Sequence, residues 1–297
     1  MVAGDEYRGV CDHTFWCDDT PIENRSFENG ETVFCKIDEV WRLFRALRRT
    51  RKRIVLVTGE GDKPVSPELY AQKPPHVGHW FGTNMFAQAS DTTSIPLGLG
   101  SEDDITTLSP DEIAAGVGRS IRRDKLLYAN FGTASNPVLR EPLRKWLQKP
   151  DQHWITRESH SGLSGNSSYL DALFSHHFVF CPAGNGEDTH RMWEALYCGA
   201  IPVVRESPAM RNFRDLPILF VPRLDRLSEE FLQAQLSTWP EHRFSREKLG
   251  MDYWKAQFSS AQQAALIRGP LNLKEWCGAW SKEIRLVAGR GVGLTVA

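Results

Sequence analysis

Short apolar runs alternate along this chain with segments whose apolar residues recur every three to four positions. Arg53–Gly59 (RIVLVTG) is almost continuously apolar, the pattern of a strand buried on both faces. His79–Asn84, Ser94–Gly98, Lys125–Phe131, His153–Thr156, Phe178–Cys181, Ile201–Val204 and Ile218–Val221 predict further strands. Asp38–Thr50 predicts a helix, with Val40, Trp41, Leu43, Phe44 and Leu47 on one face. Asp111–Arg123, Pro137–Gln148, Tyr169–Ser175, Arg226–Leu236, Arg246–Ile267 and Leu273–Val287 read as helices too. Strands alternating with helices argue α/β architecture, with parallel sheets covered on both faces.

Between Phe178 and Val204 the pattern is strand, glycine-rich turn, helix, strand. Pro182 ends the first strand, and Gly184 and Gly186 let the backbone approach a ligand closely. Asp188 or Thr189 caps a helix that runs to about Cys198, and Gly199 stops it. The open N–H groups at such a helix start suit phosphate. Arg191 and Glu194 share a face, so one helix offers a guanidinium for a diphosphate and a carboxylate for ribose hydroxyls.

The pattern P-x-G-x-G-x-D-[ST]-x-R-x-x-E-A-L-x-x-G-x-I-P-V-V resembles the nucleotide-sugar signature of exostosin-like glycosyltransferases. It is carried by Pro182, Gly184, Gly186, Asp188, Thr189, Arg191, Glu194, Ala195, Leu196, Gly199, Ile201, Pro202, Val203 and Val204. The resemblance is strong over Lys125–Pro222 and faint before it. It implies two Rossmann-like domains (the GT-B fold) facing a central cleft, with C-terminal helices packing back. It also implies an inverting transferase that moves a sugar from a UDP-sugar to a glycan or other hydroxyl acceptor. The alternatives are a sugar-nucleotide epimerase or hydrolase of the same architecture, and a non-catalytic nucleotide-sugar-binding protein.

The expected division is an acceptor-side domain over 1–124, a nucleotide-sugar domain over 125–270, and a helix and tail over 271–297. Ligands of doubly wound sheets bind beyond the carboxyl ends of strands. The expected donor set is therefore Asn130, Thr133, Asn136 and Arg140 after one strand, with Gly184, Asn185, Gly186, Asp188, Thr189, Arg191 and Glu194 after the next. Asn, Ser and Pro are equally the ordinary turn formers. Ser161–Ser168 reads as a flap or a surface linker. Arg191 and the loop N–H groups would stabilise the departing diphosphate. The general base should come from the first half, with Asp62 and Glu60 ahead of His79; Asp91 is a weaker candidate.

Composition adds bounds. At 297 residues, with 41% hydrophobic residues, ten tryptophans and 25% charged residues, the chain is globular and holds one large or two ordinary domains. A net charge of −1 gives no overall pull towards nucleic acid or an acidic membrane. The basic run Arg45–Arg53 lacks aromatic interleaving and reads best as the solvated C-terminal end of a helix. Cys11 and Cys17, with Asp12, His13, Asp18 and Asp19, fit no standard zinc spacing. With no Asp-x-Asp motif evident, no essential metal and no cofactor are expected. Neither a signal peptide nor a membrane span is evident. Eukaryotic relatives sit in the Golgi behind an anchor, so the expectation is a soluble cytoplasmic protein, prokaryotic or viral, or a chain trimmed of that anchor.

Overall fold

The computed structural model describes residues 1–15, 25–100, 107–158, 166–241 and 244–278. Two parallel five-stranded sheets face each other across a cleft, giving two Rossmann-like lobes. The first holds β1 (His13–Phe15), β2 (Thr32–Lys36), β3 (Ile54–Gly59), β4 (Val77–Gly82) and β5 (Thr92–Ser94), in that spatial order. Every residue of β3 is buried, which is why its sequence shows no polar alternation. The second holds β6 (Lys125–Ala129), β7 (Ile155–Arg157), β8 (His176–Phe180), β9 (Ile201–Arg205) and β10 (Leu219–Val221), ordered β10-β9-β8-β6-β7. The chain runs outward from β6 to β7 on one side and through β8 to β10 on the other. The topological switch point therefore lies between β6 and β8, where a doubly wound sheet opens a ligand crevice.

The helices are α1 (Glu6–Val10), α2 (Val40–Leu47), α3 (Pro67–Tyr70), α4 (Pro110–Val117), α5 (Pro137–Leu147), α6 (Asn166–Ser175), α7 (His190–Tyr197), α8 (Glu229–Thr238) and α9 (Met251–Arg268). Local chemistry sets their starts. Ser109 and Glu112 form a capping box before α4, and Asn136 Oδ1 accepts from the Leu139 N–H at the head of α5. Gly199, at φ +75°, takes the left-handed turn after α7 that a side chain would strain.

One apolar cluster lies beneath α2 on one face of the first sheet, and another lies between the second sheet, α5 and α8. A third bridges the lobes, joining Val55, Val57 and Phe81 to Trp193, Trp254 and Phe258. Two helices cross the boundary expected near Asp124. α4 packs on α6, with Gly116 against Phe174 and Leu170, and α9 packs back on β3 and β4.

Several expected elements shift. Ser94–Gly98 is a strand only at its start, because β5 is Thr92–Ser94, and β1, β2, α1 and α3 are additional. The arginines after α2 do more than solvate a helix end. Arg53 is 2% exposed and bonds Glu275 and the carbonyls of Pro75 and Gly269, while Arg51 Nε donates to the Leu271 carbonyl. This run staples the segment after α9 to the first sheet. Asp12 accepts from the Thr32 N–H and hydroxyl, and His13 pairs with Glu31. Cys17, Asp18 and Asp19, most of the Ser161–Ser168 segment and the tail beyond 278 lie outside the described residues. Among the described residues, no helix is long and apolar enough to cross a membrane.

Candidate functional site

The carboxyl ends of strands from both sheets open onto one cleft of about 730 Å³. Lys36 ends β2 and Asp38 lies just beyond it, Gly59 ends β3 and Glu60–Lys63 follow it, and Thr83 follows β4. From the second lobe come Ser135 and the loop Gly184–Gly186, with Asp188, Thr189 and His190 at the head of α7. The expected facing of the signature loop and the turn after β3 is present.

The signature loop is held in shape largely by residues first read as ligand contacts. Arg140 spends its guanidinium on the protein: Nε donates to the Ala183 carbonyl, Nη2 to Pro182, and Nη1 to Gly132 and to the Ser135 hydroxyl. It therefore ties the loop after β6 to the loop after β8 at the switch point. Burial, with Arg191 nearby, brings its pKa down to about 10. Asn136 caps α5 and its Nδ2 donates to the Gly184 carbonyl. Asn130 is buried and its Nδ2 donates to Tyr128 Oη, while Thr133 bonds Glu141. Gly186 packs so closely on Asn84 that a Cβ there would lie 2.5 Å from its Nδ2. That glycine serves contact between the lobes.

Two signature carboxylates likewise make hydrogen bonds inside the protein. Glu194 is 3% exposed; its Oε1 accepts from the Leu108 N–H at 2.8 Å and its Oε2 from Tyr169 Oη at 2.5 Å. Each oxygen is thus engaged once inside the protein, which leaves less of its acceptor capacity for ribose hydroxyls. Asp188 is equally buried, accepting from the Leu97 N–H and from Trp193 Nε1, both at 2.7 Å. Its own N–H donates to Asn84 Oδ1. Burial pushes its carboxyl up to about 7, against the hydrogen bonds that hold it down.

Arg191 differs. It occupies the first turn of α7 beside Tyr169, Cys181, Glu194 and Tyr128, and its Nε is buried with no hydrogen-bond partner among the described residues. Burial disfavours its charge, and these neighbours more than offset that effect. Thr189, the residue before α7, makes no side-chain cap, so the helix start is open towards the cleft. A half-buried cation beside open helix N–H groups is chemistry for an anion.

The three candidate bases separate. His79 lies on β4 with Nε2 bonded to Thr93 Oγ1 and its ring against Phe81; burial lowers its pKa, and it is no part of the cleft lining. Asp91, the weaker candidate, accepts from Tyr70 Oη and pairs with Lys73. Asp62 lines the cleft, but its Oδ2 accepts from Asn185 Nδ2. Glu60 lines it in a left-handed backbone conformation, φ +57°, which costs a residue with a side chain energy. Its Oε1 is buried with no hydrogen-bond partner, Arg8 Nε stands 3.5 Å away, and burial raises its pKa. Tyr7 and His190 also line the cleft and were not singled out in the sequence. Tyr7 carried no motif, and His190 sat inside the signature at a position that its pattern leaves open.

Residues 138–267 match the family model described as the RXYLT1 C-terminal domain. No curated protein sequence matches the chain. Among solved structures, the GtfA/B complex is 11% identical at a TM-score of 0.34, covering 88% of this chain and 58% of its own. The chain thus spans under two thirds of that protein's length. A glycosyltransferase from Rickettsia africae ESF-5 is 11% identical at a TM-score of 0.38, covering 86% of this chain and 75% of its own. Anabaena Alr3699/HepE in complex with UDP is 10% identical at 0.39, covering 87% and 78%. The matched segment, 138–267, contains the whole signature from Pro182 to Val204, so the family likeness and the motif fall on the same part of the chain.

Proposed function

We propose that the protein is an inverting glycosyltransferase that takes a sugar from a UDP-sugar and delivers it to a hydroxyl acceptor in the cleft between the lobes. The observation that carries this reading is Arg191, a half-buried side chain at the open start of α7 whose buried Nε has no partner among the described residues. A nucleoside diphosphate bound at the switch point would meet those N–H groups and the Gly184–Gly186 backbone, with Arg191 opposing its charge. As the glycosidic bond breaks, charge on the diphosphate grows, and a preorganised cation stabilises that state more than the ground state.

Glu60 is the proposed general base. Its half-buried carboxylate makes no hydrogen bond through Oε1, which faces Arg8 Nε at 3.5 Å, and burial raises its pKa and so its basicity despite that cation. It would take the proton from the acceptor hydroxyl as that oxygen attacks the anomeric carbon, and the sugar–phosphate bond would break with its electron pair leaving on the diphosphate. With Arg191 and backbone donors serving the leaving group, we propose no essential metal and no cofactor. The acceptor lobe is proposed to hold the first sheet and the donor lobe the second.

Thermal shift across UDP-, GDP-, TDP- and CMP-sugars tests the donor, because a ligand that binds only the folded state raises apparent stability. UDP and its sugars should stabilise the protein; stabilisation by GDP or CMP sugars alone would reject the assignment. Transfer should survive EDTA, and complete loss restored by Mn²⁺ would remove metal independence.

A further inference from the structure

Polar groups from three separate segments line the cleft without a protein partner for part or all of their bonding capacity. Glu60, in the turn after β3, contributes a carboxylate whose Oε1 faces Arg8 Nε at 3.5 Å but makes no hydrogen bond. Tyr7 of α1 is 1% exposed, and its hydroxyl has no hydrogen-bond partner among the described residues. His190 opens α7, and its Nδ1 bonds the Gly98 carbonyl at 2.8 Å. A carbonyl only accepts, so Nδ1 carries the proton, and neutral imidazole then keeps a lone pair on Nε2. Nε2 has no bond to a described residue, while the ring forms part of the lining. Folded proteins leave few buried polar atoms unpaired, and such groups gathered at one cleft call for a ligand with hydroxyls.

We propose that His190 and Glu60 form a subsite for two neighbouring hydroxyls of a neutral sugar, with Tyr7 closing its floor. The carboxylate takes one hydroxyl and His190 Nε2 accepts a hydrogen bond from the next. Both are acceptors, so the matching ligand is a donor-rich diol and not a phosphate. The subsite deepens the transferase reading and rests on it for its role in catalysis, since the hydroxyl on Glu60 would be the attacking one. His190 would then select acceptors by the hydroxyl beside the one that reacts. It also explains why α1 is carried into the gap between the lobes, where Tyr7 packs near Phe258.

The test uses His190→Asn, which keeps an N–H where Nδ1 donates to Gly98 but has no atom at the Nε2 position. Methyl glycosides of the common hexoses and pentoses are titrated, by saturation-transfer NMR, into the whole protein with UDP present. UDP affinity is measured separately by calorimetry. Wild type should bind at least one glycoside, and His190→Asn should bind it about tenfold or more weakly, with UDP affinity within about twofold of wild type. His190→Gln, whose amide reaches the Nε2 position, should recover part of the loss. The subsite is overturned if no glycoside binds wild type, or if His190→Asn binds as wild type does. A wild type that takes a glycoside but not UDP would remove the donor reading and leave the subsite standing.

Discussion

Asn185 Nδ2 donates to Asp62 Oδ2 at 2.9 Å across the cleft, joining the signature loop of one lobe to the turn after β3 in the other. The pair marks where the two lobes approach, and it occupies the carboxylate that the sequence favours as the base. Glu60, two residues earlier, is held in a strained left-handed conformation, with an oxygen that makes no hydrogen bond and faces Arg8. Strain of that kind persists where the surrounding structure fixes it, often at functional positions.

The two carboxylates should therefore respond differently to neutralisation. Glu60→Gln should lower transfer by about 10²-fold or more with UDP affinity near wild type, the scale for loss of a general base. Asp62→Asn should cost less than about tenfold, because it keeps an oxygen for Asn185 and is not the base. Transfer assays on both variants decide, and the reverse order would return the role to Asp62.

Arg191→Ala separates binding from folding. Its Nε makes no hydrogen bond to a described residue, so the variant loses only the attraction of Glu194 and the neighbouring groups and should melt slightly below the wild-type temperature. UDP affinity should nevertheless fall by about 1.5–3 kcal/mol, the range for hydrogen bonds to a charged group. Calorimetry with UDP and a thermal melt on the same sample check both halves. A destabilised variant with unchanged UDP affinity would make Arg191 structural.

Glu194→Ala should show the opposite profile. Its loss leaves the Leu108 N–H and the Tyr169 hydroxyl without their acceptor, at about 1–3 kcal/mol for each buried group left unpaired. Urea unfolding should show that loss. Weakened UDP binding in a variant of unchanged stability would restore the ribose-clamp role.

Most of the second lobe was legible in the sequence, and the reason is burial on both faces. β6, β8 and β9 lie inside the sheet and read as apolar runs, whereas β1 is a three-residue edge strand, HTF, that makes no pattern. β2 is less apolar than β3, with Thr32 and Lys36 at its ends, and at five residues it is a weak signal beside the longer helix that follows. The signature loop was found because glycine spacing is local. The roles of its polar residues were not local. Glu194 is satisfied by a backbone group 86 positions away and Asp188 by one 91 positions away. Whether a carboxylate faces a ligand or a distant N–H is settled by how the lobes meet, which no spacing within a motif encodes. His79 illustrates the same limit, since its position on a strand did not reveal that its ring turns away from the cleft.

Asp188 also predicts a pH dependence. Burial raises its carboxyl to about 7 in the folded protein, against an ordinary value of 3.8. Below about pH 4 both folded and unfolded forms hold the proton, so the group's contribution is then fully favourable. Between about pH 4 and 7 the unfolded chain releases that proton while the folded protein keeps it, so stability falls as pH rises through this window. Buried histidines such as His76, lowered to about 4, push the other way, because the unfolded chain binds their proton more readily. The Asp188 contribution is isolated by comparing wild type with Asp188→Asn in urea unfolding at several pH values. The variant should be the weaker protein at pH 4, having lost an acceptor for Leu97 or Trp193. Its deficit should shrink by at least about 1 kcal/mol by pH 7, where wild type must carry a buried charge. A deficit that stays constant or grows with pH would show that the Leu97 and Trp193 hydrogen bonds hold Asp188 ionised throughout, and that this contact between the lobes is insensitive to pH.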